Sequence, residues 1–207
     1  MPKDLILLVA DKNTDYGIRG LLRRPRALGT RPVDGQVYVH PRHDPGCVRE
    51  AHGFLRPFVN DYTHAMVIFD RSGSGREALP ADRLSEEVRG RLAANGWGDR
   101  AEVIVLDPEL EVWVFAASPH VERCLGWRGR AGLREWLERE NLWLPGQPKP
   151  SNPREALEKA LFEAQQPRSS SVYQCLGQRV SVLRCVDPAF RKFKDTLSRW
   201  FPPERRR

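Results

Sequence analysis

"LILLVADKNTDYGIRGLLRR", residues 5–24, decides how the rest of the chain is read. The unbroken apolar run Leu5 to Ala10 suits a strand buried on both faces. Asp11 ends the run. The spacing then predicts a helix capped at Asn13 or Thr14, with Ile18, Leu21 and Leu22 on one face and Pro25 to close it. A strand, an acid at its end and an amphipathic helix form one unit.

The unit recurs. "QVYVH" (36–40) reads as the second strand, followed by a helix with Asp44 as N-cap and Pro45 at its first position. "HAMVIF" (64–69) is the third strand. The next helix carries Leu84, Val88 and Leu92 four residues apart and ends at Gly96. "AEVIVL" (101–106) is the fourth strand. Such alternation predicts an α/β fold with a mostly parallel four-stranded sheet flanked by helices.

After residue 107 the alternation stops. The stretch from proline 108 to glycine 126 allows a strand or a short helix, and that punctuation favours the helix. A helix over 131–143 and a proline-rich loop over 144–153 follow. Ser151 or Asn152 then caps a helix with Leu157, Ala160 and Leu161 inward. The last helix has Asp187 as cap, Pro188 at its first position and an apolar face of Phe190, Phe193, Leu197, Trp200 and Phe201. The chain divides into an α/β core over 1–130 and a helical extension over 131–207, packed on the same domain.

The composition of the 207 residues is that of a globular protein, 40% hydrophobic. Lys+Arg 34 against Asp+Glu 27 gives a net charge of +7, mostly carried by arginine. That balance favours an anionic partner such as nucleic acid, or an acidic face of another protein. Cys47, Cys124, Cys175 and Cys185 form no Cys-x-x-Cys pair and no dense disulfide framework, which fits a reducing cytoplasm. The N-terminal apolar run is too short to span a membrane and lacks a small-residue cleavage site. The reading is a cytoplasmic protein with no membrane partner.

Ligands of parallel sheets bind beyond the carboxyl ends of the strands. Asp11, His40, Asp70 and Asp107 stand at or just past those ends, with Glu109 and Glu111 close by. Clustered carboxylates repel unless a cation or a proton joins them. Mg²⁺ is the usual cation, and such a site activates water for phosphodiester chemistry. The competing reading makes Asp11 and Asp70 helix caps, and Asp107-Pro108 reads as a cap outright.

Other patterns carry less. Gly73-Ser74-Gly75 follows a strand, but neither nucleotide-binding signature is present, so the stretch reads as a flexible exit. His40, His43, Cys47 and His52 match no common zinc module, and Cys47 and His52 fall on different faces of a helix. Arg42 and His43 suit phosphate contacts in a loop above the sheet. Arg128 and Arg130 beside Trp127 suit a nucleic-acid backbone with a stacked base.

These elements in this order, "ADKNTDYGIRGLL", "VHPRHDPG", "VIFDRSG", "PELEVWVFAA" and "DPAFRKFKDTL", resemble the small Toprim-related proteins of bacterial defence and mobile gene clusters. Those are distant relatives of the OLD nucleases and of topoisomerase–primase catalytic domains. The resemblance implies a Toprim-like core, a Mg²⁺-dependent nuclease site and a role in defence against foreign DNA. It places Asp11 as general acid or base and Asp70 and Glu111 as metal ligands, with Asp15 matching the second acid of the opening motif. Ser72 stands where a second aspartate is expected, and serine is a neutral, weaker ligand for Mg²⁺. The alternative is a non-catalytic subunit that binds nucleic acid or a partner protein of a defence complex.

Overall fold

In the computed structural model, residues 2–128 and 131–204 are described. Four strands form one all-parallel sheet: β1 (Lys3–Val9), β2 (Gly35–Val39), β3 (Tyr62–Asp70) and β4 (Ala101–Leu106). Their order is β2-β1-β3-β4. The helices α1 (Lys12–Leu22), α3 (His43–Leu55) and α4 (Ala81–Leu92) make the crossovers, and the short α2 (Pro25–Leu28) lies between α1 and β2. The predicted fold class and the helical C-terminal segment are both present.

Strand alternation sorts the core into two layers. Ile6, Leu8, Ala10, Val67, Phe69, Val103 and Val105 face α3 and α4. Leu5, Leu7, Val9, Met66, Ile68, Ile104 and Leu106 face α1 and the C-terminal helices. These last are α5 (Glu111–Val114), α6 (His120–Cys124), α7 (Leu133–Arg139), α8 (Pro153–Glu163), α9 (Ser170–Arg179) and α10 (Pro188–Trp200). The second layer, which includes Leu157, Tyr173, Phe193 and Leu197, is continuous from the sheet into the C-terminal helices.

Helices α1 and α9 cross closely. A Cβ at Gly177 would lie 2.3 Å from the carbonyl oxygen of Gly17, and one at Gly20 would lie 2.7 Å from that of Gln174. Only glycine lets the backbones approach this far. A disulfide joins Cys124 on α6 to Cys175 on α9, whereas Cys47 and Cys185 are buried free thiols.

Several local expectations change. Asp11, rather than Asn13 or Thr14, caps α1, accepting from the Thr14 N–H at 2.7 Å and the Thr14 hydroxyl at 2.8 Å. Helix α3 starts at His43, and the Asp44 carboxylate accepts from the Asp70 N–H at 2.7 Å instead of capping its own helix. The stretch over 108–126, read as a short helix in preference to a strand, is helical in two places, α5 and α6. Asp107 caps nothing: the Asp107–Pro108 bond is cis, and Asp107 pairs with Arg71 Nε at 2.8 Å. The predicted caps Asn152 and Asp187 are observed, accepting from the N–H groups of Glu155 and Phe190. Among the described residues, no helix is long and apolar enough to cross a membrane.

Candidate metal centre

The strand order places a topological switch point between β1 and β3. From β1 the chain passes through α1 to β2 on one side, then through α3 back across to β3 on the other. The connections diverge there and leave a crevice at the carboxyl ends, the usual ligand position in such sheets. Asp70, the last residue of β3, stands at that crevice. Met66 and Ile68, on the same strand face, point toward α1 and the C-terminal helices, and alternation gives Asp70 that direction.

The β3–β4 pairing continues past both strands. Arg71 N–H donates to the Leu106 carbonyl at 2.8 Å and Ser72 N–H to the Pro108 carbonyl at 2.9 Å. The residues after β4 therefore fold over Asp70, whose Oδ1 accepts the Leu110 N–H at 2.9 Å. This brings in Glu109 and Glu111. Carboxylate oxygens of Asp70, Glu109 and Glu111 all lie within 4.8 Å of one another, a spacing that could hold a metal ion. Among the described residues it is the one such group of His, Cys, Asp and Glu.

All three side chains are sheltered, at 13%, 7% and 2% exposure for Asp70, Glu109 and Glu111. Their partners come from far along the chain. Glu109 Oε1 accepts the Arg154 N–H at 3.0 Å, and Arg154 Nη2 lies 2.7 Å from Glu109 Oε2 and 3.8 Å from Asp70 Oδ2. Glu111 Oε1 accepts from the Tyr173 hydroxyl at 2.5 Å and from Arg168 Nη2 at 2.6 Å. Glu111 Oε2 is buried and has no hydrogen-bond partner among the described residues. A buried carboxylate oxygen without a donor is costly unless a cation or proton meets it.

The electrostatics agree. Burial pushes the Asp70 carboxyl well above the usual aspartate range, and the nearby acids Asp44, Glu111, Asp11 and Glu109 push the same way. Burial and Glu111 raise Glu109, against the pull of Arg154. Asp44 is raised chiefly by burial and additionally by Asp11. Proton affinity raised by crowded like charges is also affinity for another cation.

Of the residues read from sequence, Asp70 and Glu111 come together, and Glu109 joins them as the third acid. Asp11 is close enough to act on Asp70 through its charge, but it lies outside the triad and its Oδ1 is engaged as a helix cap. Ser72 is exposed, and the additional carboxylate comes from Glu109 across the sheet. Arg42 pairs with Glu50, and His43, with φ of 49°, sets Nδ1 3.0 Å from the Ala10 carbonyl. Arg128 is exposed. Its neighbour Trp127 packs on Trp136 at 5.0 Å and donates to the Ala131 carbonyl, so that ring is engaged. Arg130 lies outside the described residues. Of the histidine–cysteine set, His40 and Cys47 are buried, and burial raises the Cys47 thiol well above its ordinary value.

The glycine stretch is an ordered turn. Ser74 is fully buried, its Oγ accepts the Arg76 N–H at 3.1 Å, and Arg71 Nη1 donates to the Glu77 carbonyl at 2.7 Å. The Gly75 N–H is taken by the Glu77 carboxylate at 3.1 Å.

Sequence reasoning missed Arg154, Arg168 and Tyr173. One signal was available for Arg154. It is the second residue of α8, where the helix dipole disfavours a cation, so a carboxylate partner is expected there. Comparison of the chain with family models, with curated proteins and with solved structures returns no match.

Proposed function

We propose that Asp70, Glu109 and Glu111 bind Mg²⁺ and that the protein hydrolyses phosphodiester bonds of nucleic acid, in the setting of defence against foreign DNA. The observation that carries the reading is Glu111 Oε2, a buried oxygen without a donor inside a triad of carboxylates. An all-oxygen ligand set suits a hard divalent cation. When bound, the ion would neutralise charge building on the phosphoryl oxygens and lower the pKa of a coordinated water. Water adds to phosphorus, the bond to the leaving sugar oxygen breaks, and that oxygen takes a proton. Asp11, beside the triad, is the general acid or base in this reading. The net charge of +7 favours the polyanion, and the resemblance to Toprim-related proteins supports the same chemistry.

A second reading keeps the site but removes the chemistry. Arg154 and Arg168 already set two guanidinium charges against the triad, an arrangement that also suits a metal-free, non-catalytic subunit binding nucleic acid or a partner protein. Plasmid and single-stranded DNA incubated with Mg²⁺ or Mn²⁺, beside Asp70→Ala, separate the two. Metal-dependent cleavage lost in Asp70→Ala is expected. No cleavage with either metal, with salt-sensitive DNA binding unchanged in Asp70→Ala, would overturn the catalytic reading.

A further inference from the structure

We infer that Arg154 is the residue through which this site grips a phosphate of the nucleic acid, an inference that rests on the metal-site reading above. Two arginines touch the triad, and they differ in what they have left to offer. Arg168 commits all three nitrogens: Nη1 to Glu158 at 2.7 Å, Nη2 to Glu111 at 2.6 Å and Nε to the Tyr173 hydroxyl at 3.3 Å. Arg154 commits only Nη2, to Glu109, with Asp70 at the longer distance of 3.8 Å. Its Nε and Nη1 have no partner among the described residues, and the side chain is 45% exposed.

A guanidinium offers its donors as planar forks that match a phosphate with two parallel hydrogen bonds. Anchoring one nitrogen on a sheltered carboxylate fixes the plane. Both forks of a guanidinium include Nη2, and Nη2 carries two hydrogens, so whichever one faces Glu109 the other pairs with Nε or Nη1 to leave one two-donor edge for a phosphate beside the triad. The adjoining helix end does not compete for that phosphate. Asn152 takes the Glu155 N–H at 3.2 Å, and Glu109 takes the Arg154 N–H. Recognition therefore falls to the side chain. Glu109 orients the Arg154 side chain, and the same group receives the substrate, so the phosphate is placed in register with the triad.

The test compares wild type, Arg154→Gln and Arg154→Lys, with folding checked by circular dichroism. Mn²⁺ affinity is measured without DNA, and cleavage and binding are measured on a single-stranded oligonucleotide. In Arg154→Gln, Mn²⁺ affinity is expected to stay within about threefold of wild type or to tighten, because a competing cation is gone. KM for the oligonucleotide should rise tenfold or more, and Arg154→Lys, which keeps the charge without the fork, should fall between. Loss of Mn²⁺ binding together with cleavage would overturn the inference, since Arg154 would then only hold Glu109. An unchanged KM would overturn it as well. If wild type neither binds Mn²⁺ nor cleaves, the metal reading fails on its own. Arg154 is then judged by metal-free oligonucleotide binding: a tenfold loss in Arg154→Gln upholds the phosphate contact, and an unchanged affinity ends it.

Discussion

The Tyr173 hydroxyl donates to Glu111 Oε1 at 2.5 Å, joining residues 62 positions apart and tying α9 to the first residue of α5. Burial, followed by the Glu111 charge, raises the phenol far above its usual pKa, so it stays a donor at any pH the protein meets. Tyr173→Phe leaves Glu111 Oε1 to Arg168 alone. A hydrogen bond to a buried charged group is worth about 1.5–3 kcal/mol, and urea denaturation should register a loss of that size. A loss below about 0.5 kcal/mol would mean that Arg168 alone satisfies the carboxylate.

Asp70 makes the metal-free protein sensitive to pH in a direction opposite to acid denaturation. Its folded-state pKa is raised, so between the ordinary aspartate value and that raised value the folded chain holds a proton that the unfolded chain has released. Stability from this group is fully present below pH about 4 and is lost as pH rises through the folded pKa. Asp44 and Glu109, also raised, act with the same sign. The unfolding free energy of metal-free protein, read from guanidinium titrations, should fall from mildly acid to neutral pH by up to about 1.4 kcal/mol per pH unit for each proton lost. Asp70→Asn keeps the acceptor for Leu110 and removes the titration, so its slope should be shallower. Equal slopes in the two proteins would contradict the raised pKa.

The sheet was legible because a strand buried on both faces must be written as a continuous apolar run, as "LILLVA" and "AEVIVL" are. Strand order was not, because nothing local states that the chain crosses from β2 over β1 to β3. Asp70 and Glu111 could be placed from their position after strands. The side chains that complete their environment could not: Arg154, Arg168 and Tyr173 sit on helices that return to the site only through tertiary packing. Ser72 misleads for the same reason. Read along the chain it is a missing carboxylate, but across the sheet Glu109 brings one to the site.

The close crossing of α1 and α9 should tolerate no methyl group. Gly177→Ala would set a Cβ 2.3 Å from the Gly17 carbonyl oxygen and 3.1 Å from the Leu21 nitrogen, both backbone atoms that cannot move aside singly. The expected cost is about 1–3 kcal/mol, net of the better helix propensity of alanine. Gly53→Ala is the control. Gly53 lies on α3, is exposed and would meet nothing within 4 Å, so the same change should stabilise by up to about 1 kcal/mol. Thermal melts of the two variants should shift in opposite directions. Equal shifts would mean that the helices can separate without loss.

The Cys124–Cys175 bridge fastens α6 to the helix that carries Tyr173, so its removal should be felt in the C-terminal layer first. It closes a loop of 51 residues, for which chain entropy gives about 4 kcal/mol of stabilisation as an upper figure. Denaturation with and without dithiothreitol, repeated on the double variant Cys124→Ser and Cys175→Ser, measures it. The double variant should match reduced wild type. Thiol counting gives an independent check. Cys47 and Cys185 are buried, so oxidised native protein should take up alkylating reagent only after denaturation, and then at two positions. Reduction should expose the half-buried Cys124 and Cys175 to reagent while the protein is still folded. Four thiols reacting in denatured protein that was never reduced would mean that the bridge does not form.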